Sequence, residues 1–343
     1  MGRLNDGEAE SEGPTSVVIE KAEQFEVPRR STRQRVLFHI KWLVSLGLLA
    51  FILSTANMAA VWQALVGTNY LLILAAAVLN PVGGTLIALR WQGLLKSQGV
   101  HAPLKKLIQS CIAANFFRQF LPSTIGGDAL RAYDSWKLGA SKTVAVTTLA
   151  VDRVFGIVIL LLFAMVALLL SPPILPGVPL LSLWITLGAV GLGALVLVIF
   201  LPTSGLFKPV DRVVRLLPMV FQGAFDKLAG SLAQFQGQQA LMFRSLGYSL
   251  LLQVNVVVFY YLIGTALGLP VPFLAYFIII PIAVLVMMLP ISINAIGLRE
   301  GIFVLLLALF GVGSSEAIAF AWLEYGLILL YGVMGGIVYV LRR

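Results

Sequence analysis

Residues 154–170, 180–201 and 250–269 are apolar almost throughout. Each run approaches or reaches the ~20 residues that a helix needs to cross ~30 Å of hydrocarbon. Water is absent at that depth, so the backbone N–H and C=O groups must satisfy one another within the segment, which dictates α-helix. The whole chain agrees, being 59% hydrophobic and 11% charged, against about a quarter charged in soluble domains. It reads as an all-α polytopic membrane protein. One cysteine, Cys111, excludes an internal disulfide framework, and with two histidines it offers no metal-site spacing. No cofactor, metal or nucleic-acid partner is expected.

Residues 1–28 contain seven acidic residues and little large apolar surface, so the tail 1–37, acidic then basic, is expected to be disordered and cytoplasmic. Arg29, Arg30, Arg33, Arg35 and Lys41 then abut the first apolar segment, which lacks a small-residue cleavage signature and reads as a retained anchor helix. Residues 38–343 form a single membrane domain.

Lysine and arginine placement orients that domain. The loops at 61–69, 172–179, 266–272 and 312–316 hold none, whereas Arg90, Lys96, Lys105, Lys106, Lys208, Arg212, Arg215, Lys227, Arg244, Arg342 and Arg343 mark the cytoplasmic side. Crossings at 38–59, 69–90, 144–171, 179–201, 245–266 and 317–341 make about six full spans with both termini inside. Two segments remain. Residues 104–141 have basic flanks at both ends and should dip in from the cytoplasm; residues 272–312 have none and should dip in from the opposite face.

These two segments carry similar motifs. Residues 122–131 and 290–299 both obey Pro-x-(Ser/Thr)-Ile-x-x-x-(Ala/Gly)-Leu-Arg. With three spans between them, the second copy is inverted, giving two oppositely oriented re-entrant helical hairpins whose tips shape a polar site. The bland alternative is a proline kink in each of two long helices and a chance likeness.

Charge near the tips favours a site, because each charge at the bilayer centre costs on the order of 2.5–3.5 kcal/mol on insertion scales. Asp128 with Arg131, and Arg299 with Glu300, can partly neutralise one another. The functional reading has Arg131 and Arg299 binding an anionic headgroup through bidentate guanidinium contacts. Thr124, Ser292 and Asn294 add polar groups, while Gly126, Gly127 and Gly297 allow backbone to approach a ligand. Asn115, Arg118 and Gln119 line the descending arm or cap it. Asp152 and Arg153 form either an interfacial ion pair or a support for the first hairpin. Glu324, inside the last span, is the candidate for proton coupling, and Asn255 and Gln253 read as interhelical hydrogen bonders.

Between residues 205 and 240, Phe207, Val210, Val214, Leu217, Phe221, Leu228, Leu232 and Phe235 recur at mostly three- and four-residue steps. This predicts an amphipathic helix in the cytoplasmic headgroup plane.

Asn115-Phe116-Phe117, Leu121-Pro122, residues 126–133, Asp152-Arg153 with Gly156, and residues 290–301 together resemble the lysylphosphatidylglycerol synthase transmembrane-region family, over roughly residues 38–341. Ala295 stands where the resemblance implies a glycine. The resemblance implies a flippase-like module in the bacterial cytoplasmic (inner) membrane, with anionic-headgroup lipids as partners. The family's separate aminoacyltransferase domain does not follow Leu341, so lipid aminoacylation is not expected of this chain. The leading expectation is translocation of an anionic phospholipid, glycolipid or polyprenyl-phosphate lipid. The alternatives are an intramembrane enzyme using Asp128 or Glu300 as base, which lacks a nucleophile or metal constellation, and a non-transporting partner of a lipid-modifying enzyme.

Overall fold

The computed structural model describes residues 57–120, 126–170, 237–289 and 291–342, with residues 46–52, Ser54 and Phe235, in a unit running from Val44 to Arg343; of the separate unit Met1–Leu43 it describes Leu43 alone. The tail, most of the first span, the span expected at 179–201, most of the amphipathic segment 205–240 and residues 121–125 of the first motif lie outside the described residues.

Among the described residues the regular elements are helical. They are α1 (Met58–Val66), α2 (Tyr70–Ser97), α3 (Leu104–Phe120), α4 (Gly126–Lys137), α5 (Lys142–Leu170), α6 (Gln239–Ala266), α7 (Phe273–Met287), a single 3-10 turn (Ile293–Ala295), α8 (Leu298–Ala308) and α9 (Ser314–Leu341). Of these, α2, α5, α6 and α9 are long and apolar enough to cross a membrane. Two asparagines start the first elements. Asn57 accepts from the N–H groups of Ala59 and Ala60, and Asn69 from those of Leu71 and Leu72, satisfying donors that the first turn leaves unpaired.

Hydrogen bonds place the helix ends. Gln92 Nε2 donates to the Ala102 carbonyl at 3.0 Å, Gln238 Nε2 to that of Ser97 at 3.5 Å, and Arg342 pairs with Asp134 at 2.6 Å. The end of α2, the start of α3, the end of α4, the start of α6 and the end of α9 therefore lie at one end of the bundle. At the other end, the Asn69 N–H donates to the Ala266 carbonyl at 3.0 Å, and Val61 packs with Ile318 and Ala319. Lys96, Lys105, Lys106, Lys137, Lys142, Arg244 and Arg342 belong to the first end, and residues 57–70, 266–273 and 308–316 at the second carry no lysine or arginine. That asymmetry matches the positive-inside pattern.

The two broken pairs, α3/α4 and α7/α8, have separate apolar seats. Ala88, Trp91, Leu95, Leu107, Cys111, Ala145 and Leu149 form the core around the first. Tyr260, Ile263, Tyr276, Ile279, Phe303 and Phe320 form that around the second. Outside, Leu71, Leu74, Leu330, Met334 and Val340 are exposed, the surface expected where the solvent is lipid. Phe235, the last residue of the predicted amphipathic stripe, is buried against Leu94 and Val151 and not at the surface.

Small residues set the spacing of α3 against its neighbours. A Cβ at Gly127 would sit 2.6 Å from the Ala114 carbonyl oxygen, and one at Gly335 would overlap the Ile112 carbonyl. Backbone cannot yield as a side-chain tip can, so both positions require glycine for this approach. Gly335→Ala is expected to destabilise the protein by about 1–3 kcal/mol, read as a lowered thermal midpoint in detergent. Gly326→Ala on the same helix, where a Cβ meets nothing within 4 Å, is the matched substitution expected to leave the midpoint unchanged.

Candidate functional site

The break between α7 and α8 is built by backbone that right-handed helix does not tolerate. Asn294, Ala295 and Gly297 have φ of 54°, 58° and 78°, the left-handed region that disfavours a Cβ. The excursion turns the chain and frees the start of α8, where the Glu300 carboxylate accepts from the Gly297 N–H at 2.8 Å. It also aims Asn294 at the other broken pair. Asn294 Nδ2 donates to the Gln119 carbonyl at 3.0 Å and to Gln119 Oε1 at 3.1 Å, so the two breaks touch.

Behind the first break lies a buried ionic network. Asp152 on α5 is 3% exposed and takes two guanidiniums. Arg90 Nε, on α2, donates to Oδ1 at 2.6 Å, while Arg131 Nη1 and Nη2, on α4, donate to Oδ2 at 3.2 Å each. Arg90 also donates to the Ser249 hydroxyl on α6. Arg131 lies over the Trp91 ring, 4.5 Å from its centroid, a face that attracts a cation. Asp128 accepts from Arg153 Nε at 2.6 Å and lies 3.9 Å from Arg131.

A smaller network backs the second break. Arg299 Nε on α8 is 3.1 Å from Glu324 Oε2 on α9, and Glu324 Oε1 accepts from the Tyr260 hydroxyl on α6 at 2.9 Å. Arg299 sits over the Tyr325 ring at 4.2 Å, and its Nη2 donates to the Asn294 carbonyl at 3.4 Å. The Arg299–Glu324 pair is close but poorly aligned: Arg299 Nε and Nη1 and Glu324 Oε2 are buried with no hydrogen-bond partner among the described residues. Arg131 Nε is likewise unpartnered. Both buried arginines therefore retain donor capacity.

The pairings differ from those read along the chain. Arg131 is held chiefly by Asp152 and only loosely by Asp128, and Arg299 by Glu324, while Glu300 serves the start of its own helix. Neighbours in sequence on a helix point about 100° apart, so Arg299 and Glu300 diverge, and Asp152 and Arg153 face different partners. Asp152 and Arg153 each reach a side chain of α4, Arg131 and Asp128 respectively, and do not pair with each other. Glu324 is engaged by Arg299 and Tyr260.

Asn115 Nδ2 donates to the Cys111 carbonyl on its own helix, and Arg118 is exposed. Gly126 opens α4, Ser292 is buried with no hydrogen-bond partner for its hydroxyl among the described residues, and Thr124 lies outside the described residues. Asn255 Nδ2 donates to the Leu79 carbonyl on α2 at 3.1 Å, bonding between helices as expected. Arg131 and Arg299 share no ion-pair partner among the described residues. The sequence reading missed Arg90, Trp91, Ser249, Tyr260 and Tyr325. Arg90 counts among the cytoplasmic charges in the sequence pattern, yet it is 5% exposed inside a helix that continues to Ser97; its place beside Trp91 within an otherwise apolar stretch is the signal that separates it from them.

Removing the shared carboxylate leaves two buried guanidiniums uncompensated. Asp152→Ala is expected to cost about 3–5 kcal/mol, measured as loss of monodisperse protein and a lowered thermal midpoint. Ala295→Gly removes the Cβ penalty at φ 58° and is expected to raise the midpoint, by the equivalent of about 1 kcal/mol.

Residues 38–335 match the family described as the lysylphosphatidylglycerol synthase TM region. The UPF0104 membrane protein MJ1595 of Methanocaldococcus jannaschii is 28% identical over 136 residues, which are 39% of this chain and 39% of that relative's length. The family match takes in most of the chain, from the first apolar segment through Gly335 on α9. The chain belongs to the lysylphosphatidylglycerol synthase transmembrane-region family.

Proposed function

We propose that this protein is a flippase-like translocase that moves an anionic lipid between leaflets. The observation that carries the reading is the Asn294–Gln119 contact between the two breaks, each backed by a buried arginine. In the proposed arrangement α3/α4 and α7/α8 are re-entrant hairpins from opposite faces, and the basic end, including Arg342, faces the cytoplasm. The order long helix, broken pair, long helix then occurs twice, as α2 to α5 and α6 to α9, and constitutes an inverted repeat. In both halves the arm after the break carries the arginine, and the next long helix carries the carboxylate that holds it.

Such repeats favour alternating exposure of a shared midplane site to either side. The lipid headgroup, of a phospholipid, glycolipid or polyprenyl-phosphate, competes with carboxylates for guanidinium donors while its acyl chains stay in the bilayer. Arg131 and Arg299 fit that exchange because each is pre-paired yet keeps unused N–H groups. Glu324 is the group whose protonation releases Arg299, which makes it the point of coupling to a proton gradient in this scheme. Membership of a lipid-related membrane family supports the substrate class.

The test is leaflet exchange of fluorescent phosphatidylglycerol in vesicles reconstituted with purified protein. Wild type is expected to accelerate exchange, and Arg131→Lys and Arg299→Lys, which keep charge but lose the bidentate fork, to lower it about tenfold or more. Full exchange in both variants sinks the assignment. Chemical conversion of the lipid points to an intramembrane enzyme instead.

A further inference from the structure

We infer that the headgroup phosphate first docks on Arg118 and Arg153, at the outer side of the first break, and that the second break has no equivalent dock. This rests on the lipid-handling reading above and sharpens where the anion binds. Charge around the first break is unbalanced. Arg90, Arg118, Arg131 and Arg153 gather near the first break against two carboxylates, Asp128 and Asp152. Asp152 has both oxygens taken by Arg90 and Arg131. Asp128 is left to Arg153, with Arg131 at 3.9 Å. Arg118 makes no ion pair among the described residues, although Asp128, Arg131 and Arg153 are all within its electrostatic reach.

Position makes this surplus consequential. Arg118 is fourteen residues from the start of α3, about 21 Å along the helix at 1.5 Å per residue. Arg153 is eleven residues into α5, about 16 Å by the same rise. Both helices start at the basic end, and on the re-entrant reading above both guanidiniums are then well inside the bilayer. Yet Arg118 is exposed and the Arg153 side chain is 56% exposed, unlike Arg90 and Arg131. An uncompensated guanidinium at that depth is costly unless water or an anion meets it. Two accessible guanidinium groups near a single carboxylate, which Arg153 alone of the two engages, offer a phosphate several charge-assisted donors without first breaking the buried Asp152 network. The second break is the reverse, with one arginine, Arg299, beside two carboxylates, Glu300 and Glu324. While both carboxylates are charged it attracts an anion less than the first break does, so an initial dock is not expected there.

The experiment uses the full chain in phosphatidylcholine nanodiscs, with spin-labelled phosphatidylglycerol and spin-labelled phosphatidylcholine as probes, and reads the protein-bound fraction of each. Wild type is expected to prefer phosphatidylglycerol, and Arg118→Gln or Arg153→Gln to reduce that preference by up to roughly tenfold. Asp128→Asn removes the competing carboxylate and is expected to strengthen it. Both exposed arginines can be replaced without opening the buried core, and an unshifted thermal midpoint verifies the fold. Well-folded Arg118→Gln with undiminished preference overturns the dock. Loss of the preference in millimolar inorganic phosphate, but not in equal ionic strength of chloride, assigns the site to a soluble anion and overturns the lipid assignment. An Arg118-dependent preference without any leaflet exchange leaves the dock standing and defeats the transport reading; exchange that persists with no such preference does the opposite.

Discussion

Asp152 holds two arginines from two other helices, and that three-way ion cluster is the constraint around which the first half of the bundle is arranged. A carboxylate buried this deeply is tolerated only when opposite charge and hydrogen bonds meet both oxygens. Arg90 from α2 takes one and Arg131 from α4 the other. The requirement locks the register of α2, α4 and α5, and the link from Arg90 to Ser249 extends it to α6. Close packing makes it reachable: glycine at Gly127 lets α4 lie against the backbone of α3, which brings Arg131 over Trp91 and onto the carboxylate.

The second half uses the same plan with fewer charges. Tyr260 stands where the first half has Arg90, in the long helix before the break, and Glu324 where it has Asp152, in the long helix after it. Replacing a cation by a phenol lowers the positive charge of the second network, while Glu300 adds a carboxylate at the start of α8. The two breaks that these networks of unlike charge back touch through one asparagine amide. An anion is therefore not offered equal seats in the two halves, a difference that the likeness of the two motifs conceals.

Much of the helical arrangement was legible in the chain. Apolar length located α2, α5, α6 and α9, and the lack of lysine and arginine at one set of ends marked the opposite faces. The proline- and glycine-containing motifs located both breaks. Less legible was partner choice at the site. Arg299–Glu300 looked like a natural pair because the two are adjacent in sequence, but helical geometry sends adjacent side chains apart and Glu324 meets Arg299 instead; Asp128 and Arg131, one turn apart, do approach to 3.9 Å, yet tertiary packing brings Asp152 closer. Ala295 looked like a departure from pattern at the second tip; the backbone nevertheless adopts the left-handed turn there, with Asn294 and Gly297 sharing the excursion.

Composition and apolar periodicity by themselves determined that this protein is helical and membrane-embedded, because hydrocarbon leaves an unpaired backbone no other partner. They also determined where its helices break, since proline, glycine and clustered charge interrupt a spanning helix locally. Only the tertiary structure decided which charges neutralise which and which remain accessible. That outcome depends on distances between side chains as far apart in sequence as Tyr260 and Glu324, or Gln119 and Asn294. Ion pairing falls off with separation in space, and separation along the chain does not report it.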